Sequence, residues 1–235
     1  RPGRCPSERI ARNLVRDVIT SFEDDKNAII VSTFSSHIAR VKTIAECAHE
    51  IGRKPVFLGR SMQKYSVTAE QMKYVSFPET SSVFGDRRTV DRVMRRMMKE
   101  GKENFLPIVT GHQGEPGSIL TRLAHGDTPY RLSKGDKVIF SANVIPNPMN
   151  VGNRYAIEHL LEMTGARIFT DLHVSGHAYR EDHLEFLQML QPQHIIPAHA
   201  DMKMTAGYAE FAGDLGYTAY KDVHPMMNGH RLRIN

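Results

Sequence analysis

Short apolar runs alternate along this chain with longer stretches whose apolar residues recur every three or four positions. The runs NAIIVSTF (27–34), KPVFLG (54–59), NFLPIVTG (104–111), GDKVIFSAN (135–143) and ARIFTDLHV (166–174) are rich in β-branched and aromatic residues and stop at small or polar ones. That pattern predicts buried strands. HIIPAHA (194–200) is a further strand-like run, and GHRLRIN (229–235) is expected to form a last strand. Pro6, Ser7 and Glu8 mark a helix start, with Ser7 as cap and the helix running through IARNLVRDVITSF. A second helix is predicted from about Ser36 to Ile51, with Ile38, Val41, Ile44, Ala45 and Ala48 on one face and Gly52 closing it. TVDRVMRRMMKE (89–100), SILTRLA (118–124) and TAGYAEFAGDLG (205–216) also read as helices, as do a stretch from about Tyr155 and the segment between ARIFTDLHV and HIIPAHA. Strands alternating with helices predict an α/β fold with a largely parallel sheet flanked by helices.

The stretch IPNPMNVG (145–152) holds two prolines and a glycine and is a candidate boundary. Beyond it about eighty residues form a thin tail, expected to pack against something outside these residues. At 235 residues the chain has room for one large or two modest domains, and its 40% hydrophobic content is ordinary for a globular protein. Its only two cysteines, Cys5 and Cys47, have no CxxC spacing, which argues against redox or cysteine-zinc chemistry. No apolar run approaches membrane-spanning length, and RPGRCPSER lacks the apolar core of a secretory signal. A cytoplasmic protein without membrane association is expected. The net charge of +5 leans toward a polyanionic partner. Basic residues concentrate at Arg87, Arg88, Arg92, Arg95, Arg96 and Lys99, for which a solvated helix face is the plain account.

Four loops after the strand-like runs carry candidate chemistry. In DLHVSGHA (171–178), Ser175 and Gly176 are small enough for backbone amides to approach a ligand. His177 there either donates to a phosphate and shuttles a proton, or simply hydrogen-bonds a neighbouring strand. In PAHAD (197–201), His199 projects between two alanines with room for a metal or a substrate, although zinc needs three or four ligands. VTGHQGEPGS (109–118) leads from a strand into a helix and is an anion cradle in principle, but lacks the P-loop and dinucleotide spacings. STFSSH (32–37) has Ser35 and Ser36 at a helix start, where capping is the plain alternative to ligand binding. Two histidines at the ends of core strands suggest one shared pocket at the sheet rim.

Taken in order, RPGRCPSER, TFSSHIARV, GRKPVFLGRSM, VTGHQGEPGSILTRLA, VIFSANVIPNP, DLHVSGHA, IIPAHAD and NGHRLRI resemble the β-CASP branch of the metallo-β-lactamase superfamily, most closely the ribonuclease J family of archaeal type. The resemblance covers essentially the whole chain. It implies a β-CASP domain over residues 1–160, the first few being a linker, and the C-terminal portion of a metallo-β-lactamase αββα fold over 161–235. It implies a zinc-dependent ribonuclease of RNA processing and decay, with 5′-to-3′ exonuclease and some endonuclease activity, two zinc ions, and homodimerisation. The substrate implied is single-stranded RNA, preferably 5′-monophosphorylated, with single-stranded DNA also admissible. His199 matches a zinc ligand, and His177 a residue contacting the scissile phosphate and serving as proton donor; both are expected to be catalytic. Ser35, Ser36, His37, His173, Val174, Ser175, Gly176 and His177 fall where the family grips RNA phosphates, and Gln113 and Glu115 are also expected to bind substrate.

The family's HxHxDH motif, its further single histidine and its bridging aspartate are absent from these residues, and the acidic partner of the His177 motif would precede Arg1. The chain is therefore expected to supply one direct zinc ligand and to be a fragment or a split gene product, catalytic only with the missing half. PAHAD also departs from the usual PxHGE at Ala200 and Asp201. Two other readings stand beside the nuclease: a non-catalytic RNA-binding or dimerising module, and a β-CASP endonuclease of the messenger 3′-end processing type, against which TGHQGEP argues.

Overall fold

The computed structural model describes residues 2–173 and 176–234. They fall into two compact units, one spanning Cys5–Gly176 and one combining the first four residues with the chain from His177 onward.

The larger unit follows the alternation in the sequence. Its elements are α1 (Glu8–Thr20), β1 (Ile29–Ser32), α2 (Ile38–Glu50), β2 (Lys54–Leu58), α3 (Arg60–Gln71), β3 (Ser82–Phe84), α4 (Arg87–Glu100), β4 (Phe105–Val109), α5 (Ile119–Ala124), β5 (Lys137–Phe140), α6 (Pro148–Met163) and β6 (Arg167–Phe169). The strands form one sheet in the order β3-β2-β4-β1-β5-β6, and every pairing is parallel. β1 sits inside it, with Val31 opposite Ile108 on one side and Ile139 on the other. Because side chains alternate along a strand, each strand feeds two cores. Ile30, Val56, Leu58, Val109, Val138 and Phe140 pack with residues of α4, α5 and α6. Ile29, Val31, Phe57, Leu106, Ile108 and Ile139 pack with residues of α1, α2 and α3. The result is the α/β/α layering that a parallel sheet requires.

Several local expectations are corrected. IPNPMNVG is a helix start rather than a break: the Asn147 side chain accepts from the Asn150 amide and Pro148 occupies the first turn of α6, where its missing N–H costs nothing. Ser7 is the residue before α1, yet makes no side-chain cap bond. The segments of α3 and β3 carried no distinct signal, since their apolar residues are sparse.

The smaller unit contains α7 (Arg180–Leu190) and α8 (Met202–Gly213) around a core of Leu187, Ile195, Ala209, Ala212 and Val223. HIIPAHA contributes only an isolated parallel bridge, Ile195 to Val223. The expected closing strand is also absent: residues 229–234 are exposed and have no ladder partner among the described residues. A strand without a partner leaves its backbone to water, and the pattern in the sequence cannot supply that partner. No helix among the described residues is long and apolar enough to cross a membrane.

One side chain ties the layers of the larger unit together. Arg40 of α2 is wholly buried. Its Nε and Nη2 donate to the two carboxylate oxygens of Glu8 on α1, each at 2.9 Å. Its Nη1 donates to the Ser141 carbonyl at 3.2 Å, the Ser141 hydroxyl at 2.7 Å and the Leu172 carbonyl at 2.9 Å, just past β5 and β6. Glu8 is only half-buried, so removing Arg40 deletes charge-assisted hydrogen bonds worth about 1.5–3 kcal/mol rather than stranding a buried charge. Arg40→Ala is expected to lower the unfolding free energy of the larger unit by about that amount in urea denaturation, with Arg40→Lys intermediate. A loss below about 1 kcal/mol would show that these contacts are dispensable.

Candidate functional site

Parallel pairing delivers the carboxyl ends of all the strands to one edge, where ligands bind in open α/β sheets. The loops after β1, β4, β5 and β6 leave that edge together. After β1, Ser35 is half-buried and Ser36 exposed, and the residue that precedes α2 is His37, without a side-chain cap bond. Neither serine hydroxyl therefore caps the helix, and the capping account of this loop is not supported.

After β4, Gly111 has φ +114°, and an added Cβ would lie 2.3 Å from the Ser118 hydroxyl. Gly114, at φ +75°, approaches α6 so closely that a Cβ would lie 2.5 Å from the Asn153 carbonyl. Gln113 is buried and its amide bonds through both its nitrogen and its oxygen. Its Nε2 donates to the Asn143 carbonyl and its Oε1 accepts from the Ile145 amide, both at 2.8 Å. Gln113 thus stitches its loop to the one after β5, while exposed Glu115 turns back to accept from the Gln113 amide at 3.0 Å. These contacts position the loop and leave Glu115, Pro116 and Gly117 exposed.

Three histidines gather at this edge. Phe34 meets His112 edge-on at 3.9 Å between ring centroids and His173 at 6.5 Å. His112 is 2% exposed, and burial, reinforced by Arg154 and His173, pushes its imidazole down to about 4. Arg154 donates to the His112 carbonyl at 2.8 Å and lies over the Phe140 ring at 3.4 Å. His37 is lowered by burial, with Glu8, whose carboxylate is 3.8 Å away, raising it and Arg40 lowering it further. His173 is lowered by burial and then by Arg40 and His37, and its Nδ1 is buried without a hydrogen-bond partner among the described residues. At neutral pH these rings are neutral, each with one donor and one acceptor nitrogen. The fixed positive charge comes from Arg40 and Arg154.

In the smaller unit, His177 and His199 stack nearly parallel, 8° apart in plane and 6.3 Å between centroids. Both are exposed, and His199 holds φ +57°, a left-handed conformation that non-glycine residues seldom adopt. Asp201 caps α8, accepting from the Met204 amide at 2.7 Å. A second pair, His194 Nδ1 and His224 Nε2, lies 3.0 Å apart.

The structure thus gathers Ser35, Ser36, His37, Gln113, Glu115 and His173 in the larger unit, and His177 with His199 in the smaller. Gly176 is exposed, and an added Cβ would meet nothing within 4 Å. Val174 and Ser175 lie outside the described residues. A zinc ion takes three or four protein ligands, and among the described residues no group of three or more His, Cys, Asp or Glu side chains could hold a metal. These residues by themselves do not fit a zinc site. Arg40, His112, Phe34 and Arg154 escaped the sequence reading. Arg40 left one trace there, as a cation bordering the apolar face of its helix.

The model of the ribonuclease J β-CASP domain matches residues 26–163. That of the RNA specificity domain of Zn-dependent metallo-hydrolases matches residues 165–221. A ribonuclease J of Methanocaldococcus jannaschii is 47% identical over 98% of this chain and 51% of its own length. One of Pyrococcus abyssi is 43% identical with the same coverage, and one of Synechocystis is 30% identical over 90% of this chain and 32% of its own. The chain spans about half the length of the first two relatives.

A histidine held near 4 in the fold and near its ordinary value of about 6.5 when unfolded makes stability pH-dependent. Its contribution is complete above about pH 6.5 and is lost as the pH falls toward 4, because only the unfolded chain takes up the proton in that window. Proton NMR is expected to show the His112 ring titrating below pH 5, and His112→Gln to flatten the decline in urea midpoint between pH 6.5 and 4. A His112 midpoint near 6.5 would contradict this burial effect.

Proposed function

Because the chain belongs to the ribonuclease J β-CASP family, we propose that it forms the RNA-gripping part of a zinc-dependent ribonuclease acting on single-stranded RNA in RNA processing and decay. The observation that carries the reading is the gathering of Ser35, Ser36, His37 and His173 at the carboxyl edge of the sheet, with Arg40 and Arg154 fixed behind them. Hydroxyl and imidazole donors backed by immobile positive charge suit a phosphate ester better than a neutral ligand. The larger unit is the clamp on the strand. The smaller unit is the returning part of a lactamase domain, in which His177 holds the proton for the departing oxygen and His199 is one ligand of a two-zinc centre completed by residues beyond this chain.

The described residues do not complete a metal site, so the chemistry assigned to this chain is gripping, orientation and proton transfer. A 5′-monophosphate seated at the sheet edge would make the enzyme a 5′-to-3′ exonuclease, with endonuclease activity on strands that thread internally. Homodimerisation and a cytoplasmic location complete the proposal.

In a complete ribonuclease J carrying these residues, His177→Ala is expected to lower turnover about 10²–10⁴-fold with zinc content unchanged. His199→Ala is expected to lower zinc content and activity together. Unimpaired turnover with full metal content in either variant would overturn the role given to that residue.

End protection gives an independent check on polarity. Blocking the 5′ terminus of a labelled single-stranded RNA is expected to abolish its stepwise digestion, and unchanged stepwise digestion would rule out the exonuclease assignment.

A further inference from the structure

We propose that the outer face of α4 is a second contact for single-stranded RNA, a cationic ladder that leads the strand away from the carboxyl edge of the sheet; this rests on the RNA reading above. Arg88, Arg92, Arg95 and Lys99 are all exposed, and their spacing of four, three and four residues places them on one stripe. Val90, Met94 and Met97 are buried on the opposite side, so the stripe faces directly into solvent. From Arg88 to Lys99 it runs about 16 Å, at 1.5 Å per residue.

The carboxylates nearby are engaged elsewhere. Asp91 pairs with Arg122 at 3.1 Å, Glu100 with Arg96 at 2.7 Å, and Asp86 accepts from the Thr89 amide at 2.9 Å as the helix cap. Among the described residues, none of the four stripe cations has an ion-pair partner. On the opposite face of the sheet some exposed cations are matched: Arg12 and Lys42 pair with Glu46, and Arg16 with Glu50. Like charges at helical spacing work against the helix that carries them, so the unmatched stripe contributes nothing to folding. What it does present is a row of donors about one helical turn apart, the kind of spacing at which successive phosphates of an extended strand can be met.

The direction of the helix matters as well. In a parallel sheet each helix starts at the carboxyl edge and returns to the amino edge, and α4 joins β3 to β4. Arg88 therefore stands at the end nearer His37 and His173, and Lys99 at the far end. A strand gripped at the sheet edge by one end would meet Arg88 first. Three of the four cations are arginines, whose planar donors suit phosphate oxygens.

The test is fluorescence anisotropy of this chain with single-stranded RNAs of about 20 and about 4 nucleotides over a potassium chloride series. Each phosphate neutralised on a single strand contributes about 0.7 to the slope of log affinity against log salt. The variant Arg88→Gln/Arg92→Gln/Arg95→Gln/Lys99→Gln is expected to bind the longer RNA more weakly, with a slope shallower by about 3, and the short RNA unchanged. Arg88→Lys/Arg92→Lys/Arg95→Lys keeps the charges and is expected to keep the slope. Equal slopes for wild type and the glutamine variant would overturn the ladder and leave the RNA reading standing. Failure of wild type to bind either RNA would overturn both. Poly-glutamate captured as tightly as the RNA, and lost in the glutamine variant, would assign the stripe to an acidic protein and overturn the proposal.

Discussion

A wholly buried guanidinium, held by five hydrogen bonds to three separate segments, is the constraint on which the rest of the larger unit depends. Taking a charge out of water is costly, and the cost is offset only when its donors are satisfied with good geometry. Arg40 meets that condition by engaging both oxygens of Glu8 and by reaching two backbone carbonyls at the ends of neighbouring strands. Those carbonyls belong to Ser141 and Leu172, the residues at which the chain leaves the sheet toward the functional edge. The same five bonds that fix α1 against α2 therefore also fix where the loops after β5 and β6 begin. His173 follows Leu172 directly, so its ring inherits that placement.

Much of this fold is legible in the chain because burial imposes a period. The strand runs around Ile30, Phe57, Ile108 and Ile139 are apolar on both faces, as strands covered by helices on both sides must be, and they predict a parallel sheet without further information. What failed to be legible depended on partners distant in sequence. GHRLRI alternates like a strand yet pairs with nothing among the described residues, and the short β3 is a strand only because β2 lies beside it. IPNPMNVG reads as a break by composition, whereas one asparagine cap and one well-placed proline turn it into a helix start.

The site divides along the same line. Motif loops were visible because small residues followed by a histidine or serine interrupt an apolar run, and the near-parallel rings of His177 and His199 bring two such loops together. Gln113 was visible too, but its amide is spent on two backbone groups across the gap to Asn143 and Ile145, a role no local pattern announces. Arg40 and His112 were silent because each works through a neighbour fixed by the tertiary fold. A charged residue beside an apolar stripe looks like a helix edge until Glu8 and Leu172 are brought to it.

The edge of the sheet and the outside of α4 use positive charge in two different ways. At the edge, Arg40 and Arg154 are immobilised by hydrogen bonds and the histidines in front of them are kept neutral by burial. Neutral imidazoles beside a fixed cation offer donors without adding charge. An anion arriving there would favour the protonated form of His37 and His173, and by linkage its binding would carry a proton with it as the pH falls. The α4 cations are solvated, unpaired and spread along a line, which makes them sensitive to salt and indifferent to sequence. Fixed cations behind neutral donors at the edge and solvated cations along the helix are thus two separate electrostatic designs, the first set by tertiary hydrogen bonds and the second by helical spacing alone.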